Sequence, residues 1–249
     1  MIPKVIHYCW FGNNPLPNDV KECIKSWKKN CPDYRIKLWN ETNFDVNQHP
    51  FIKSAYEAKA WAFVSDYARL KIIYDEGGIY LDTDVELLKS LDSLLNNPSY
   101  VGIQQVGNVI NTGLGFGAEK ENCAIKKMLD QYDALIFTKD QKDNLVCPLL
   151  NTKAVNDLGG FSTDEITVLK DIVVYPSKYF DPISPGDTQY LKCDDTFSIH
   201  HYSASWTNKN NRIKRKISRF IGEKRIYKIR RILKGTNLSL IHISEPTRP

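Results

Sequence analysis

Asp82 and Asp84 are the side chains of this 249-residue chain whose types and spacing best suit chemistry. Two carboxylates one residue apart suit a hard divalent cation. One can ligate directly while the other acts through water or a sugar hydroxyl, and the metal bridges phosphate oxygens. An isolated Asp-x-Asp triplet is a weak signal, because carboxylates in surface loops are usually just solvated. The elements around the triplet therefore decide how it is interpreted.

The segment before the triplet predicts a helix, a tight turn and a strand. Apolar residues at spacings of four, three and four between Phe63 and Tyr74 mark a helix that buries one face. Gly77 and Gly78 end this helix, because glycine accepts the left-handed backbone of a C-cap. Residues 79–81 then form a short buried strand. The two carboxylates follow at the carboxyl end of that strand, which is where open α/β sheets bind ligands.

The predicted helix itself carries Ser65, Asp66 and Arg69. Asp66 and Arg69 are three residues apart and therefore share one face of the helix. This pair is either an ordinary surface ion pair or part of the same site as the carboxylates.

The spaced elements from Ser65 to Asp84 together resemble the sugar-binding region, with its DXD motif, of family 32 glycosyltransferases. That family includes bacterial capsular and lipopolysaccharide sugar transferases, yeast-type mannosyltransferases and relatives of the clostridial glucosylating toxins. The resemblance implies a GT-A fold, which is an α/β fold with a mixed, mostly parallel sheet flanked by helices. It also implies a nucleotide-sugar donor and a Mn²⁺ or Mg²⁺ ion. Spacing alone indicates only a metal and phosphate site.

The resemblance assigns expected roles to individual residues. The expected catalytic residues are Asp66, Arg69, Asp82 and Asn111. The expected donor-binding residues are Trp10, Ser65, Asp66, Arg69, Tyr80, Asp82 and Trp206. Trp10 takes the place of a tryptophan that stacks on the nucleotide base, and its alternative is a core aromatic. Asn111 is expected beside the donor sugar, and its alternative is a polar residue in a turn.

A histidine pair followed by Ser-x-Ser-Trp, within residues 198–206, resembles the family's C-terminal motif. In that motif a side chain completes the metal shell and the tryptophan contacts the donor. The expected metal ligands are therefore Asp82, Asp84 and His200. Neighbouring residues of a strand face opposite ways, so only one histidine can enter the site. We favour His200 over His201, and two surface histidines remain the alternative. An imidazole ligand tolerates Mn²⁺ better than Mg²⁺.

The remaining pattern completes an α/β domain over residues 1–208. Strand, helix and strand are predicted at 5–10, 17–29 and 34–39, and His7 is interpreted as a core histidine. Further elements are predicted as helices at 51–59, 91–95 and 123–137, strands at 100–103 and 109–118, and loops on the acceptor side after 159.

Composition is that of an ordinary soluble protein, with 42% hydrophobic and 25% charged residues. No run of eighteen apolar residues predicts a membrane span, and the N-terminus lacks a signal-peptide pattern. The six cysteines have neither a CxxC pair nor zinc-like spacing. We expect free thiols in a reduced cytoplasm.

Basic charge is concentrated in one segment near the C-terminus. Residues 209–234 hold twelve lysines and arginines against Glu223, a net charge of +11. The whole chain carries +5, so residues 1–208 carry about −6. Isoleucines and a phenylalanine are interleaved at near-helical spacings, which predicts a basic amphipathic helical segment at 209–237 for an anionic membrane surface. The segment contains no nucleic-acid recognition motif, so nucleic acid is not expected as a partner. The plain alternative to membrane binding is a basic helix that packs on the acidic body. Residues 238–249 resemble a translated sequencing-library adapter and are set aside.

The resemblance implies a metal-dependent, retaining transferase. It would move a hexose, from UDP-hexose rather than GDP-mannose, to a lipid-linked glycan acceptor in capsule, O-antigen or lipopolysaccharide synthesis. We expect it on the cytoplasmic side, peripheral at the inner face of the plasma membrane. A non-catalytic nucleotide-sugar or glycan-binding module is the alternative. A metal-dependent phosphohydrolase would need more clustered acids and histidines than the chain has.

Overall fold

One mixed sheet organises residues 1–201, which form a single unit by their contacts. The computed structural model describes residues 1–185 and 188–203. The helices are α1 (Asn18–Asn30), α2 (Pro50–Glu57), α3 (Trp61–Glu76), α4 (Cys123–Asp130), α5 (Cys147–Asp157) and α6 (Ser177–Phe180). The strands are β1 (Val5–Cys9), β2 (Arg35–Trp39), β3 (Gly78–Tyr80), β4 (Val85–Leu87), β5 (Ser99–Gln104), β6 (Val109–Ile110), β7 (Phe116–Ala118), β8 (Thr167–Val168), β9 (Val173–Tyr175) and β10 (Ser198–His200).

The main sheet has the order β2-β1-β3-β7-β5-β9-β8, with β6 paired to β5. Strands β1, β2 and β3 are mutually parallel, and β5 is parallel to β9. Strand β7 runs antiparallel between β3 and β5, so five of the eight described strands point the same way. This is the mixed, mostly parallel sheet that the sequence predicts. A separate antiparallel pair, β4 and β10, lies beside it.

Strand β1 shows how helices cover both faces of the sheet. Its side chains alternate, as strand geometry requires. Tyr8 meets Trp27 of α1 on one face, with ring centroids 5.6 Å apart. Cys9 points to the opposite face, into the core that α2 to α5 cover. The Trp27 indole also donates to the Val85 carbonyl at 2.7 Å, which ties α1 to β4. The predicted strand, helix and strand at the start of the chain are confirmed.

The connection from α3 to β3 depends on two adjacent glycines. Gly77 ends the helix at φ 67° and Gly78 follows at φ 102°. A Cβ on Gly78 would lie 2.8 Å from Nε2 of His7, so a larger residue does not fit. His7 is buried, accepts from Nε1 of Trp39 at 3.0 Å and bonds the Gly77 carbonyl at 3.0 Å. The predictions of the helix stop and of a core histidine are confirmed.

Several predicted bounds are wrong, for local reasons. Residues 109–118 are not one strand, because a 3-10 turn at Thr112–Leu114 and Gly115 at φ 110° divide them into β6 and β7. The segment around 91–95 forms only a 3-10 turn, and α4 is shorter than the predicted 123–137. Helix α5 was not predicted, because Asn151 faces inward and interrupts its apolar periodicity. Short strands and a helix also occupy part of the region predicted as loops, after 159.

Within the described residues, no helix is long and apolar enough to cross a membrane. All six cysteines are free thiols, as the sequence predicts. Trp206, the basic segment at 209–237 and residues 238–249 lie outside the described residues.

Candidate active site

Asp82, Asp84 and His200 come together at the carboxyl end of β3. Each offers one ligand atom, and these atoms all lie within 4.8 Å of one another. His200 Nε2 lies 3.1 Å from Asp84 Oδ1 and 4.0 Å from Asp82 Oδ2. A tight turn, in which the Val85 N–H donates to the Asp82 carbonyl at 3.0 Å, links β3 to β4 and brings the two carboxylates together. The Asp82 side chain is 24% exposed and that of Asp84 is 9% exposed, so the triplet is not a solvated surface loop.

The antiparallel pairing of β4 with β10 supplies the histidine. His200 pairs with Val85, and Val85 directly follows Asp84 in the chain. The next residue, His201, bonds Glu86 Oε2 at 2.8 Å instead. Alternation along the strand therefore selects His200 and directs His201 away from the carboxylates. The structure does not support the alternative in which His201 is the ligand.

Burial and charge act against each other on these groups. Burial lowers the pKa of His200, but the carboxylates of Asp84 and Asp82 outweigh it, and the pKa lies above its ordinary value. Burial raises the pKa of Asp82, with Asp84 adding to the rise and Arg69 opposing it. The protein thus gathers two acids where each makes ionisation of the other more costly. A cation at this position would relieve that cost.

The three side chains fit a divalent ion. Two carboxylates and one imidazole are donors that Mn²⁺ accepts, and Mg²⁺ accepts the oxygens readily. Ligand atoms about 2.1 Å from one ion lie up to about 4.2 Å apart. The observed separations need only small side-chain adjustments to reach that geometry.

Arg69 connects helix α3 to the carboxylates. It pairs with Asp66 on its own helix, and its Nη1 lies 3.2 Å from both carboxylate oxygens of Asp82. Asp66 and Arg69 are each only 3% exposed. The pair is therefore a buried group within the site, and its interpretation as a surface ion pair is wrong. Burial opposes the charge of Arg69, but Asp82 outweighs it and the pKa of Arg69 is raised.

The Thr112–Leu114 turn also lies next to Asp82. Asn111 caps this turn, because its Oδ1 accepts from the Gly113 N–H at 2.7 Å while its Nδ2 donates to Gln104 Oε1 at 2.7 Å. A Cβ on Gly113 would lie 2.7 Å from Asp82 Oδ2. Asn111 thus lies beside the site as a turn-forming residue, and its contact with a donor sugar stays a prediction.

The other predicted donor-binding residues lie in different surroundings. Trp10 follows β1, is half-buried, and donates from Nε1 to the Asn14 carbonyl at 2.6 Å. It is outside the buried core, in agreement with a surface platform. Ser65 is half-buried on α3. Tyr80 is 1% exposed and packs 5.6 Å from the Arg69 guanidinium, and its contact with the donor stays a prediction. Its ring supports Arg69 from within the core.

Sequence reasoning missed three residues next to this site. Gly113 had a signal, since glycine in a strand-like pattern often marks a close approach, but the approach is to Asp82. Cys147 and Asn151 of α5 had none, because the sequence does not reveal which residues α5 meets. Cys147 Sγ lies 3.8 Å from Arg69 Nη2.

Residues 17–101 match the family model described as the glycosyltransferase sugar-binding region containing the DXD motif. Over these residues the chain is similar to the sugar-binding region of the family 32 glycosyltransferases. Inositol phosphoceramide mannosyltransferase 3 of Schizosaccharomyces pombe is 33% identical over 119 residues, which are 46% of this chain and 33% of that protein. An uncharacterized glycosyltransferase of Acanthamoeba polyphaga mimivirus is 25% identical over 83% of this chain and 84% of its own length.

A solved structure, the PaToxG glycosyltransferase, has a similar fold. It superposes with a TM-score of 0.50 at 21% identity and covers 63% of this chain and 69% of that one. At this identity the likeness concerns the fold alone, and it confirms the GT-A glycosyltransferase architecture. The match to the yeast mannosyltransferase spans about a third of that relative's length. The family 32 resemblance is thus confirmed for the sugar-binding region that holds Asp66, Arg69, Asp82 and Asp84.

Proposed function

We propose that this protein transfers a hexose from a nucleotide-diphosphate sugar to a glycan acceptor. The observation that carries the proposal is the group of Asp82, Asp84 and His200 within 4.8 Å at the carboxyl end of β3. Asp82 and Asp84 lie within residues 17–101, which match the sugar-binding region containing the DXD motif. These three residues would hold a divalent ion, Mn²⁺ rather than Mg²⁺, which would supply Lewis-acid stabilisation of the leaving diphosphate.

The chain's own side chains orient the donor. Asp66 and Arg69 form a buried, charged floor, and Asp82 lies between that floor and the solvent-facing side of the site. Hydroxyls of the sugar and ribose would bond to these groups, which fixes the donor for attack. Trp10 would stack on the base from its half-buried position beyond β1. We propose retention of anomeric configuration and assign no covalent nucleophile.

The donor is the least constrained part of the proposal. UDP-hexose is our first choice, from the sequence resemblance. The yeast relative is named as a mannosyltransferase, which favours GDP-mannose as the second choice. A panel of nucleotide sugars with Mn²⁺, read by product detection and by calorimetric binding, separates the two.

For the acceptor we propose a lipid-linked glycan at the inner face of the plasma membrane, in capsule, O-antigen or lipopolysaccharide synthesis. The relative named for inositol phosphoceramide acts, by its name, on a lipid. That name supports a lipid-linked acceptor and also makes a sphingolipid the rival to a bacterial polysaccharide precursor. Both kinds of acceptor belong in the assay.

Replacement of one ligand tests the proposal. Asp84→Ala should abolish Mn²⁺-dependent transfer and leave the thermal midpoint close to that of the unmodified protein. Asp157→Ala, at an exposed position of α5, is the matched control and should transfer normally. Near-normal turnover of Asp84→Ala with Mn²⁺ would overturn the metal assignment.

The same assay separates the other function classes. Donor binding without any product, across the whole panel, would favour the non-catalytic module. Release of nucleotide or phosphate without a glycosylated product would favour a phosphohydrolase. Glycosylated product with Mn²⁺ and a retained anomeric configuration would support the proposal.

A further inference from the structure

Helix α5 directs polar side chains at the turn beside Asp82. Thr152 Oγ1 accepts from the Ile110 N–H at 2.8 Å. One residue earlier, Asn151 Nδ2 donates to Thr112 Oγ1 at 3.0 Å. Asn151 and Thr112 are both 0% exposed, so this hydrogen bond is sealed from water. Helix α5 therefore holds both the end of β6 and the start of the 3-10 turn.

Cys147, one helical turn before Asn151, meets the same turn. Its Sγ lies 3.7 Å from Asn111 Oδ1 and 3.9 Å from Thr112 Oγ1. It also lies 3.8 Å from Arg69 Nη2. We call Cys147, Asn151 and Thr152 the α5 bracket.

The turn that the α5 bracket contacts comes close to Asp82 at Gly113. A Cβ on Gly113 would lie 2.7 Å from Asp82 Oδ2 and 3.0 Å from Arg69 Nη1, so backbone and carboxylate are already in close contact. Asp82 is thereby confined between this turn and the guanidinium of Arg69. A shift of the turn by a few tenths of an ångström would change the room available to the carboxylate.

If Asn151 served packing alone, its buried amide would lower the stability of the fold relative to an apolar side chain. Its Oδ1 is buried and has no hydrogen-bond partner among the described residues. A buried acceptor without a partner destabilises a protein, whereas an apolar side chain of the same shape in that place avoids the penalty. The bond to Thr112 is the one described contact that needs the amide.

We propose that Asn151 is a positioning residue for metal binding. Through Thr112 it holds the Thr112–Leu114 turn against Asp82 and so sets the carboxylate for the ion. The inference rests on the proposed function, because it takes Asp82 as a metal ligand. Groups that orient metal ligands typically change metal affinity about 10- to 100-fold when they are lost.

The test measures the Mn²⁺ concentration that gives half-maximal UDP binding, by calorimetry of the full chain at fixed UDP. Asn151→Leu and Thr112→Val each remove the hydrogen bond and keep the side-chain size. We expect each to raise that concentration about ten-fold. Thr112→Ser keeps the hydroxyl and should stay within about two-fold of the unmodified protein. Asn156→Leu, at an exposed position of the same helix, should leave the value unchanged.

Thermal midpoints separate positioning from simple loss of fold. A Mn²⁺ requirement that is unchanged in Asn151→Leu and Thr112→Val overturns the inference, provided that Asp84→Ala abolishes the Mn²⁺ dependence. A rise that merely parallels a lowered midpoint, and that Thr112→Ser shares, also overturns it. If Asp84→Ala keeps a normal Mn²⁺ dependence, the proposed metal site fails, and the inference fails with it. Should UDP not bind, GDP replaces it in the same titration.

Discussion

Arg69 is the residue on which the charged floor of the site depends. It lies buried between Asp66 and Asp82, and its removal would leave two carboxylates in the interior without their cation. Uncompensated buried charge is far more costly than the loss of an exposed ion pair. The same helix offers an exposed comparison, because Lys71 pairs with Asp75 at its surface.

We expect Arg69→Met to lower the free energy of unfolding by about 3–5 kcal/mol. Lys71→Met should lower it by less than about 1 kcal/mol, as for other surface pairs. Urea unfolding of both variants at neutral pH provides the measurement. Equal losses in the two variants would contradict the buried role of Arg69.

Trp10 is half-buried directly after β1, and its indole donates to the Asn14 carbonyl. An aromatic platform contributes about 1–3 kcal/mol to stacking on a base, a magnitude taken from nucleic-acid binding. Trp10→Ala should therefore weaken UDP binding by about ten-fold or more and largely preserve the thermal midpoint. Calorimetric titration checks the affinity. Unchanged affinity together with a collapsed midpoint would assign Trp10 to the core.

At this scale the sequence predicts the ligands better than their surroundings. The spacing of Asp82, Asp84 and His200, with its resemblance, leads to a trio that the fold does bring together. The packing of Tyr80 against Arg69 was not predicted, because sequence position next to a site does not reveal which way a side chain points. Asn151 was missed because its partner, Thr112, is 39 residues away in the chain.

His7 links three elements around β1. Nε1–H of Trp39 in β2 donates to His7 Nδ1, so Nε2 carries the proton that bonds the Gly77 carbonyl after α3. This arrangement needs a neutral ring. Burial is the main cause that lowers the pKa of His7, from 6.5 to about 4.

The pKa of His7 predicts a pH dependence of stability. Between pH 6.5 and 4 the unfolded chain binds a proton that the folded ring rejects, so stability falls as the pH falls through this window. The full contribution, on the order of 3 kcal/mol, is present above pH 6.5. Urea unfolding at several pH values should show this loss, and His7→Gln should reduce it. An identical profile in the variant would contradict the assignment.

Elements that nearby sequence determines, such as α3 and β3, were predicted. A strand that depends on a distant pairing, such as β4, was not. Helix α3 and strand β3 follow from periodicity and from two glycines next to them in sequence. Among the described strands, β4 pairs only with β10, which lies more than a hundred residues later in the chain. The periodicity of a sequence does not reveal so distant a pairing. Helix α5 was overlooked because the buried Asn151 interrupts its apolar periodicity.

On the scale of the whole molecule, charge is separated along the chain. Residues 1–208 carry about −6, and the basic segment at 209–234 carries +11. We propose that this segment holds the enzyme on an anionic membrane, since each basic residue near the headgroups adds roughly 1 kcal/mol. Its packing on the acidic body is the rival proposal.

Co-sedimentation with liposomes should rise with anionic lipid content and fall at high salt, because surface attraction decays over about 8 Å at physiological ionic strength. Lys214→Glu, Arg215→Glu and Lys216→Glu combined should reduce binding strongly, and a chain cut after Asn208 should lose it. Equal sedimentation of the full and shortened chains would contradict membrane attachment and leave the catalytic proposal intact.

The pairing of β4 with β10 has a consequence for synthesis. Asp84 and His200 are separated by 116 positions, and ribosomes add roughly 5–20 residues per second. A nascent chain therefore contains both carboxylates for roughly 6–23 s before the histidine is added. During this interval Arg69, which precedes both carboxylates, can already neutralise Asp82. On the proposed function, the complete ligand set for the ion would thus exist only after most of the main sheet has been synthesised.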